Sequence, residues 1–263
     1  MTQRPALRLR LLSALVMLPV ALAAVLAGGV VFSVLVAVCS LALIYEWNRM
    51  CIGAGLGWTS ALHAGVALAG IVLVALDATL VALVLVAVAT AAFLAARGLA
   101  PRTTLWPALG LVCLCLPVLA IVWLRARPDV GEGATLWLLI AIWATDTGAY
   151  LFGRAIGGPK LAPRISPQKT WAGLYGGALA AGVVGGAVGF LTMPEHGALL
   201  AAAAMVVAVF AQAGDIAESA LKRRFGRKDT SGLIPGHGGV MDRLDGLLFT
   251  APFAAVMAYT LGW

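Results

Sequence analysis

Charged side chains are scarce in this chain. Asp, Glu, Lys and Arg make up 11% of its 263 residues, against about a quarter in soluble domains. A water-soluble fold of this length could not hide the apolar remainder, which is 62% of the chain. Cysteine is rare as well: Cys39, Cys51, Cys113 and Cys115 are the only four. None forms a CxxC pair, and Cys113 and Cys115 would point about 200° apart on a helix. The pattern argues against a disulfide framework and a zinc site. It leaves the four cysteines as small apolar residues within or beside hydrophobic spans. No Ser-His-Asp or reactive-Cys constellation stands out.

What is present is a series of apolar runs of roughly 17–22 residues, the length needed to cross ~30 Å of hydrocarbon. They predict an all-α polytopic membrane protein with about nine transmembrane helices, near 11–27, 29–45, 58–76, 79–96, 105–124, 134–152, 171–192, 198–217 and 246–262. The chain reads as a single membrane domain, 1–263. Within it, 1–133 supplies N-terminal helices, and 134–263 supplies the helices and loops that carry chemistry. Gly28 and Gly29 divide the first two spans and Asp77 lies near the break between the third and fourth, so both pairs are expected as tight hairpins. The first 26 residues mimic a signal peptide, with Arg4, Arg8 and Arg10 ahead of an apolar stretch. A second span follows almost at once, which favours an uncleaved first helix.

The net charge is +7. In a soluble protein this would suggest nucleic acid. Here the charge has a topological reading, because Lys and Arg collect on the cytoplasmic side of membranes. With the N-terminus cytoplasmic, the inner segments hold Arg4, Arg8, Arg10, Arg49, Arg97, Arg102, Arg154, Lys160, Arg164, Lys169, Lys222, Arg223, Arg224, Arg227, Lys228 and Arg243. The other side holds Arg125 and Arg127. That separation puts the C-terminus outside and the polar segments at the cytoplasmic face. The charge also suits anionic headgroups and phosphate-bearing substrates.

Two cytoplasmic segments stand out, GRAIGGPKLAPRISPQKT at 153–170 and ESALKRRFGRKDTSGLIPGHGGVMDRLD at 218–245. They follow spans bearing Asp146 and Asp215. A bare carboxylate in hydrocarbon costs several kcal/mol. Each must face a polar cavity, a cation or a metal, pair with a nearby base, or lie closer to the interface. Asp215, Ser219 and Lys222 are spaced i, i+4, i+7 and share a helix face, and Glu218 can pair with Lys222. Either this is a charged helix end leaving the membrane, or a metal-binding carboxylate lies beside a phosphate-binding cation. Hard oxygen ligands suit magnesium.

Asp242 and Asp245 share a face at i, i+3, and with Asp215 they could converge on one or two cations. Between them and Lys222, Gly236, Gly238 and Gly239 allow positive φ and a backbone anion nest, with His237 as a phosphate donor. Ser166, Lys169 and Thr170 offer a second anion site or a helix cap, with Pro167 stiffening a turn. Gly176, Gly177, Gly182, Gly185 and Gly186 suit close helix packing. His63 is expected in packing or a helix–helix hydrogen bond. Glu46 and Trp47 read as a solvated carboxylate beside an interfacial aromatic.

At these motifs the sequence resembles the phosphatidate cytidylyltransferases, also called CDP-diacylglycerol synthases. The family pattern S-x-x-K-R-x4-K-D-x-[small]-x2-[apolar]-P-x-H-G-G-[apolar]-x-D-R-x-D is filled without a gap. Ser219, Lys222, Arg223, Lys228, Asp229, Ser231, Ile234, Pro235, His237, Gly238, Gly239, Val240, Asp242, Arg243 and Asp245 occupy it. Asp215 stands at the acid of a G-D-x-x-E-S block, and WATDTGAY and SPQKT resemble two further blocks. Upstream, Arg10, Pro19 and the Glu46–Trp47 pair are similar. Gln168 and Ala172 depart from the family, where Lys or Asn and Glu are common.

The resemblance implies the reaction CTP + phosphatidate → CDP-diacylglycerol + pyrophosphate in a bacterial cytoplasmic (inner) membrane. It also implies a magnesium requirement, K+ as a candidate second cation, and a homodimer. Asp215, Asp242 and Asp245 would then bind cations. Lys222, Arg223 and His237 would hold phosphates, with Arg243 a further candidate. Ser166, Lys169 and Ser219 would orient the lipid phosphate or triphosphate, and Asp146 would complete the polar cavity. The rivals are another CTP-dependent lipid enzyme, such as a polyprenol kinase or an archaeal-type lipid cytidylyltransferase, and a cation-coupled transporter. A CDP-alcohol phosphotransferase would need a D-G-x2-A-R block that is absent. No convincing inverted repeat supports transport.

Overall fold

The computed structural model describes residues 3–96, 105–236 and 238–263, with side chains from Leu15 onward within those ranges. Arg97, Arg102 and His237 lie outside the described residues, as do the side chains of Arg4, Arg8 and Arg10. Helices occupy all nine expected ranges. They are α1 (Gln3–Ala27), α2 (Gly29–Cys51), α3 (Trp58–Ala75), α4 (Thr79–Ala96), α5 (Leu105–Gly110), α6 (Leu116–Arg125), α7 (Gly131–Ile156), α8 (Trp171–Thr192), α9 (Gly197–Arg224) and α10 (Met241–Thr260). A π-helical turn, Leu111–Cys115, joins α5 to α6.

Seven helical stretches among the described residues are long and apolar enough to cross a membrane. They comprise α2, α3, α4, the α5–α6 stretch, α7, α8 and α9. The chain is a multi-pass helical membrane protein. The described apolar part of α1 is shorter, Leu15–Ala27, and α10 begins with Asp242, Arg243 and Asp245.

The expected breaks occur where the backbone needs positive φ. Gly28 and Gly29 have φ of 61° and 47°, and Asp77, which ends the α3 hairpin, has φ of 61°. Asp is among the few non-glycine residues that adopt this conformation readily. The all-α reading needs one correction. Residues β1 (Lys160–Ala162) and β2 (Ser166–Thr170) form an antiparallel pair with Lys160 opposite Thr170 and Ala162 opposite Ser166. SPQKT is therefore a strand rather than a turn. Both strands of a two-stranded sheet are edges, where Pro167 is tolerated.

The chain divides into two compact units, Met1–Ala126 with Phe225–Leu244, and Arg127–Arg224 with Asp245–Trp263. The first unit thus includes the Gly-rich segment 230–241. Its apolar core includes Leu43, Ile44, Ala67, Val74, Leu111 and Leu119. A polar network crosses that core. Asn48 Nδ2 donates to Ile44 O at 2.8 Å and lies 3.2 Å from His63 Nδ1, and His63 Nε2 is 3.0 Å from Pro107 O. His63 therefore makes the expected helix–helix hydrogen bond. Trp47 Nε1 donates to Trp106 O at 3.0 Å. A Cβ on Gly110 would lie 2.7 Å from Trp47 Nε1 and 2.9 Å from His63 Cε1, so glycine lets these rings close over α5. Arg125 donates from Nε to Val25 O at 2.6 Å, placing a cation at the carbonyl end of α1.

In the second unit, glycines draw α7, α8 and α9 together. A Cβ on Gly177 would lie 2.9 Å from Thr145 O, and one on Gly185 would lie 2.7 Å from Ala204 Cβ. This is the small-residue packing expected from the sequence. Thr170 caps α8, accepting from Gly173 N at 3.0 Å. A Cβ on Gly214 would lie 2.7 Å from Asp245 O, so α9 and α10 are in backbone contact beside Asp215.

Candidate functional site

The second unit gathers acids from two helices. Carboxylate oxygens of Asp215, Glu218 and Asp245 lie within 4.8 Å of one another. The unbroken helix α9 puts Asp215 and Glu218 one turn apart, and the contact at Gly214 brings Asp245 from α10. Two lysines answer the negative charge. Lys169 Nζ is 2.6 Å from Asp215 Oδ2 and donates to Gln212 Oε1 at 2.9 Å. Lys222 Nζ is 2.9 Å from Glu218 Oε2, the i, i+4 pair expected from spacing. Ser219 Oγ donates to Asp215 Oδ1 at 3.4 Å, a long contact.

Asp245 precedes the apolar part of α10. Burial pushes its carboxyl up to about 7. The neighbouring Asp215 charge adds to the rise and Asp146 contributes further, while the Gly246 N–H and Lys169 oppose it. Three convergent carboxylates, of which one resists ionising beside the others, form an oxygen-rich set suited to a hard divalent cation. The donor set fits magnesium. Glu218 is the member that the sequence reading missed, because its pairing with Lys222 accounted for it fully. Asp146 is exposed on α7 and Ser166 is half-buried on β2. Arg223 is exposed at the end of α9.

The first unit holds its acids differently. Asp242 Oδ2 accepts from Thr230 N at 3.0 Å, Thr230 Oγ1 at 2.9 Å and Gly239 N at 2.7 Å. Glu46 of α2 is fully buried. Its Oε1 accepts from Val240 N at 2.8 Å and Ser231 Oγ at 2.5 Å, and its Oε2 accepts from Met241 N at 2.7 Å. Thr230 Oγ1 lies 3.2 Å from Glu46 Oε2, so its hydroxyl sits between the two acids. Arg243 is exposed.

This geometry corrects two expectations. Glu46 is not a solvated interfacial carboxylate: it lies in the protein, with donors on the far side of the sequence. Beside the glycines Gly236, Gly238 and Gly239, expected to form a nest for a substrate anion, the N–H groups of Gly239, Val240 and Met241 already face the protein's own Asp242 and Glu46. Glycine is required here by space as well as by conformation. A Cβ on Gly239 would collide with Thr230 Oγ1 and lie 2.5 Å from Glu46 Oε1. Gly236 and Gly238 have φ of 79° and 85°, and Ile234 N donates to Gly238 O at 2.8 Å to close the turn.

Comparison with known proteins agrees with the motifs. Residues 8–261 match the cytidylyltransferase family. The chain is 36% identical to the phosphatidate cytidylyltransferase of Brucella suis biovar 1 (strain 1330) over 262 residues, 97% of this chain and 93% of that protein. Over 162 residues it is 38% identical to the phosphatidate cytidylyltransferase of Pseudomonas aeruginosa, covering 60% of this chain and 59% of the relative. Over 123 residues it is 42% identical to that of Staphylococcus epidermidis (strain ATCC 35984), covering 46% and 47%.

Proposed function

The chain belongs to the cytidylyltransferase family, and from that premise we infer that it is a phosphatidate cytidylyltransferase, converting CTP and phosphatidate to CDP-diacylglycerol and pyrophosphate. The observation that carries the substrate assignment is the 36% identity to a phosphatidate cytidylyltransferase along 97% of the chain. The unbroken motif from Ser219 to Asp245 supports it, and so does the carboxylate group at Asp215, Glu218 and Asp245.

The reaction joins two polyanions. A phosphatidate phosphate oxygen attacks the α-phosphorus of CTP, the bond from that phosphorus to the bridging oxygen breaks, and pyrophosphate leaves with the electron pair. The attacking phosphate is already anionic near neutral pH, so no protein nucleophile is needed. Positioning and charge stabilisation supply the catalysis.

Asp215 and Asp245 would hold magnesium, with Glu218 as a third oxygen donor. The bound ion would neutralise triphosphate oxygens and the departing pyrophosphate. Asp242, the third ligand expected from the sequence, is assigned instead to loop structure, because its Oδ2 already accepts three contacts. Lys169 and Lys222 stand on the carboxylates and would serve phosphate oxygens brought beside them. Arg223, Arg243 and His237 are further phosphate ligands, Ser166 orients a phosphate oxygen, and Asp146 keeps the surroundings polar. Ser219, expected from the sequence to do the same as Ser166, is assigned instead to Asp215, on which its hydroxyl rests.

The remaining proposals are nine crossings, a cytoplasmic N-terminus, an outer C-terminus and a site facing the cytoplasm of a bacterial inner membrane. The asymmetry of Lys and Arg supports that orientation. A homodimer and K+ as second cation complete the reading. The test is purified protein in detergent with α-labelled CTP and phosphatidate, with and without magnesium. Magnesium-dependent lipid-linked cytidylate with stoichiometric pyrophosphate is expected. CDP as product would make the protein a kinase, and substrate flux without nucleotide consumption would make it a transporter.

A further inference from the structure

Glu46 has no role in the mechanism above, yet its buried carboxylate accepts hydrogen bonds at both oxygens. A fully buried carboxylate is costly unless donors surround it. Glu46 has four: the hydroxyls of Thr230 and Ser231 and the backbone N–H groups of Val240 and Met241. Those donors bracket the Gly-rich segment on both sides. Two of them lie at the start of α10, where unpaired N–H groups and the helix dipole favour an anion. Glu46 supplies that anion from a helix almost two hundred residues earlier in the chain.

We propose that Glu46 is a positioning residue for cytidylyl transfer. It acts as the resident anion of the α10 N-terminus, pinning both ends of the 230–241 segment and so setting Asp242 and Arg243. The segment is rich in glycine, so its backbone has many conformations to choose from. It contains four glycines between Thr230 and Met241, and two of the described ones have positive φ. With Glu46 in place, Asp242 has its partners Thr230 and Gly239 fixed. Without it, two helix-end N–H groups and the Ser231 hydroxyl lose their acceptor at once, and Thr230 Oγ1 is left with Asp242 alone. Part of the segment's rigidity is therefore imported from α2, added to the Ile234–Gly238 turn and the Asp242 contacts.

This inference rests on the cytidylyltransferase reading for its kinetic consequence but not for its structural one. The test uses full-length detergent-purified protein and compares Glu46→Gln with wild type. Gln keeps the size but turns an NH2 donor toward N–H or O–H groups. Hydrogen–deuterium exchange should rise at least about tenfold at the amides of 239–241, with α8 and α9 unchanged. The KM for CTP or kcat should worsen at least about tenfold, with the KM for phosphatidate unchanged. Glu46→Asp, which retains a carboxylate, should recover part of both effects. Exchange at 239–241 equal to wild type overturns the clamp, as does a uniform rise over the whole protein. Fast exchange confined to the loop with wild-type kinetics overturns the positioning role. If wild-type protein makes no CDP-diacylglycerol, the enzymatic reading fails, while the exchange result still decides the clamp.

Discussion

The two units satisfy their buried or half-buried acids by different means. In the first, Glu46 and Asp242 face backbone N–H groups and short hydroxyls, which are fixed by the fold. In the second, Asp215 and Glu218 face the ammonium groups of Lys169 and Lys222, which end long rotatable stems. A carboxylate held by fixed dipoles is committed, because moving it strands several donors. One held by lysine is exchangeable, because a lysine can swing away and a cation can replace its charge. The contrast separates acids that shape the site from acids that bind at it.

The sharpest way to break this comparison is to neutralise one acid of each kind. Asp215→Asn or Asp245→Asn should lower kcat by about 10²–10³-fold or more, the scale of losing a central electrostatic contact. Residual activity should need higher magnesium. Asp242→Asn should cost about tenfold in kcat/KM through loop geometry, with an unchanged magnesium half-saturation. Magnesium titrations of folded variants decide it. A raised half-saturation for Asp242→Asn would return that residue to the cation and dissolve the distinction.

A second prediction probes the committed side through packing alone. Gly239→Ala drives a methyl into Thr230 Oγ1 and the Glu46 carboxylate. Overpacking of this kind typically costs about 1–3 kcal/mol. Thermal unfolding in detergent should show the loss, and activity should fall with it. Wild-type stability would mean that the loop gives way easily and is not held as described.

How much of this was legible beforehand depended on distance along the chain. The helices were, because each apolar run carries its own signal, and Gly28, Gly29 and Asp77 mark their breaks locally. The Glu218–Lys222 pair and the Thr170 cap are also local, at i, i+4 and i, i+3. The β1–β2 pair escaped because its strands are three and five residues long and Pro167 interrupts the strand pattern. Glu46 escaped for another reason. Its donors are 184 to 195 residues away, so no local pattern distinguishes a clamp from a solvated acid. The Gly-rich segment was recognised as a place for an anion, but glycine spacing reveals the nest and not the group that fills it.

Protons offer a gentler test of the exchangeable side. Burial and Asp215 raise Asp245 to about 7, so at and below that pH a proton occupies the oxygen that a cation needs. The sign follows directly: acid favours the protonated form, and magnesium must displace the proton. Apparent magnesium affinity should therefore fall as pH drops through 7, approaching tenfold per unit well below it. Magnesium activation measured from pH 5.5 to 8.5 checks this. A flat profile would mean that Lys169 and the Gly246 N–H already hold Asp245 ionised across this range.

The smallest expected effects come from a matched pair of hydroxyls. Ser231 Oγ donates to Glu46 at 2.5 Å, while Ser219 Oγ reaches Asp215 only at 3.4 Å. If fixed donors define the committed acids, Ser231→Ala should cost about 0.5–1.5 kcal/mol of stability, the usual net worth of a hydrogen bond. Ser219→Ala should stay within about 0.5 kcal/mol. Its kcat/KM should change by less than about threefold, since Asp215 keeps Lys169. The family motif includes both serines, so the pair separates a structural hydroxyl from one that serves substrate. A large kinetic loss in Ser219→Ala with unchanged stability would show that its hydroxyl acts on a phosphate oxygen in the complex. The long contact to Asp215 would then be a resting position, and exchangeability would extend from the lysines to the hydroxyl beside them.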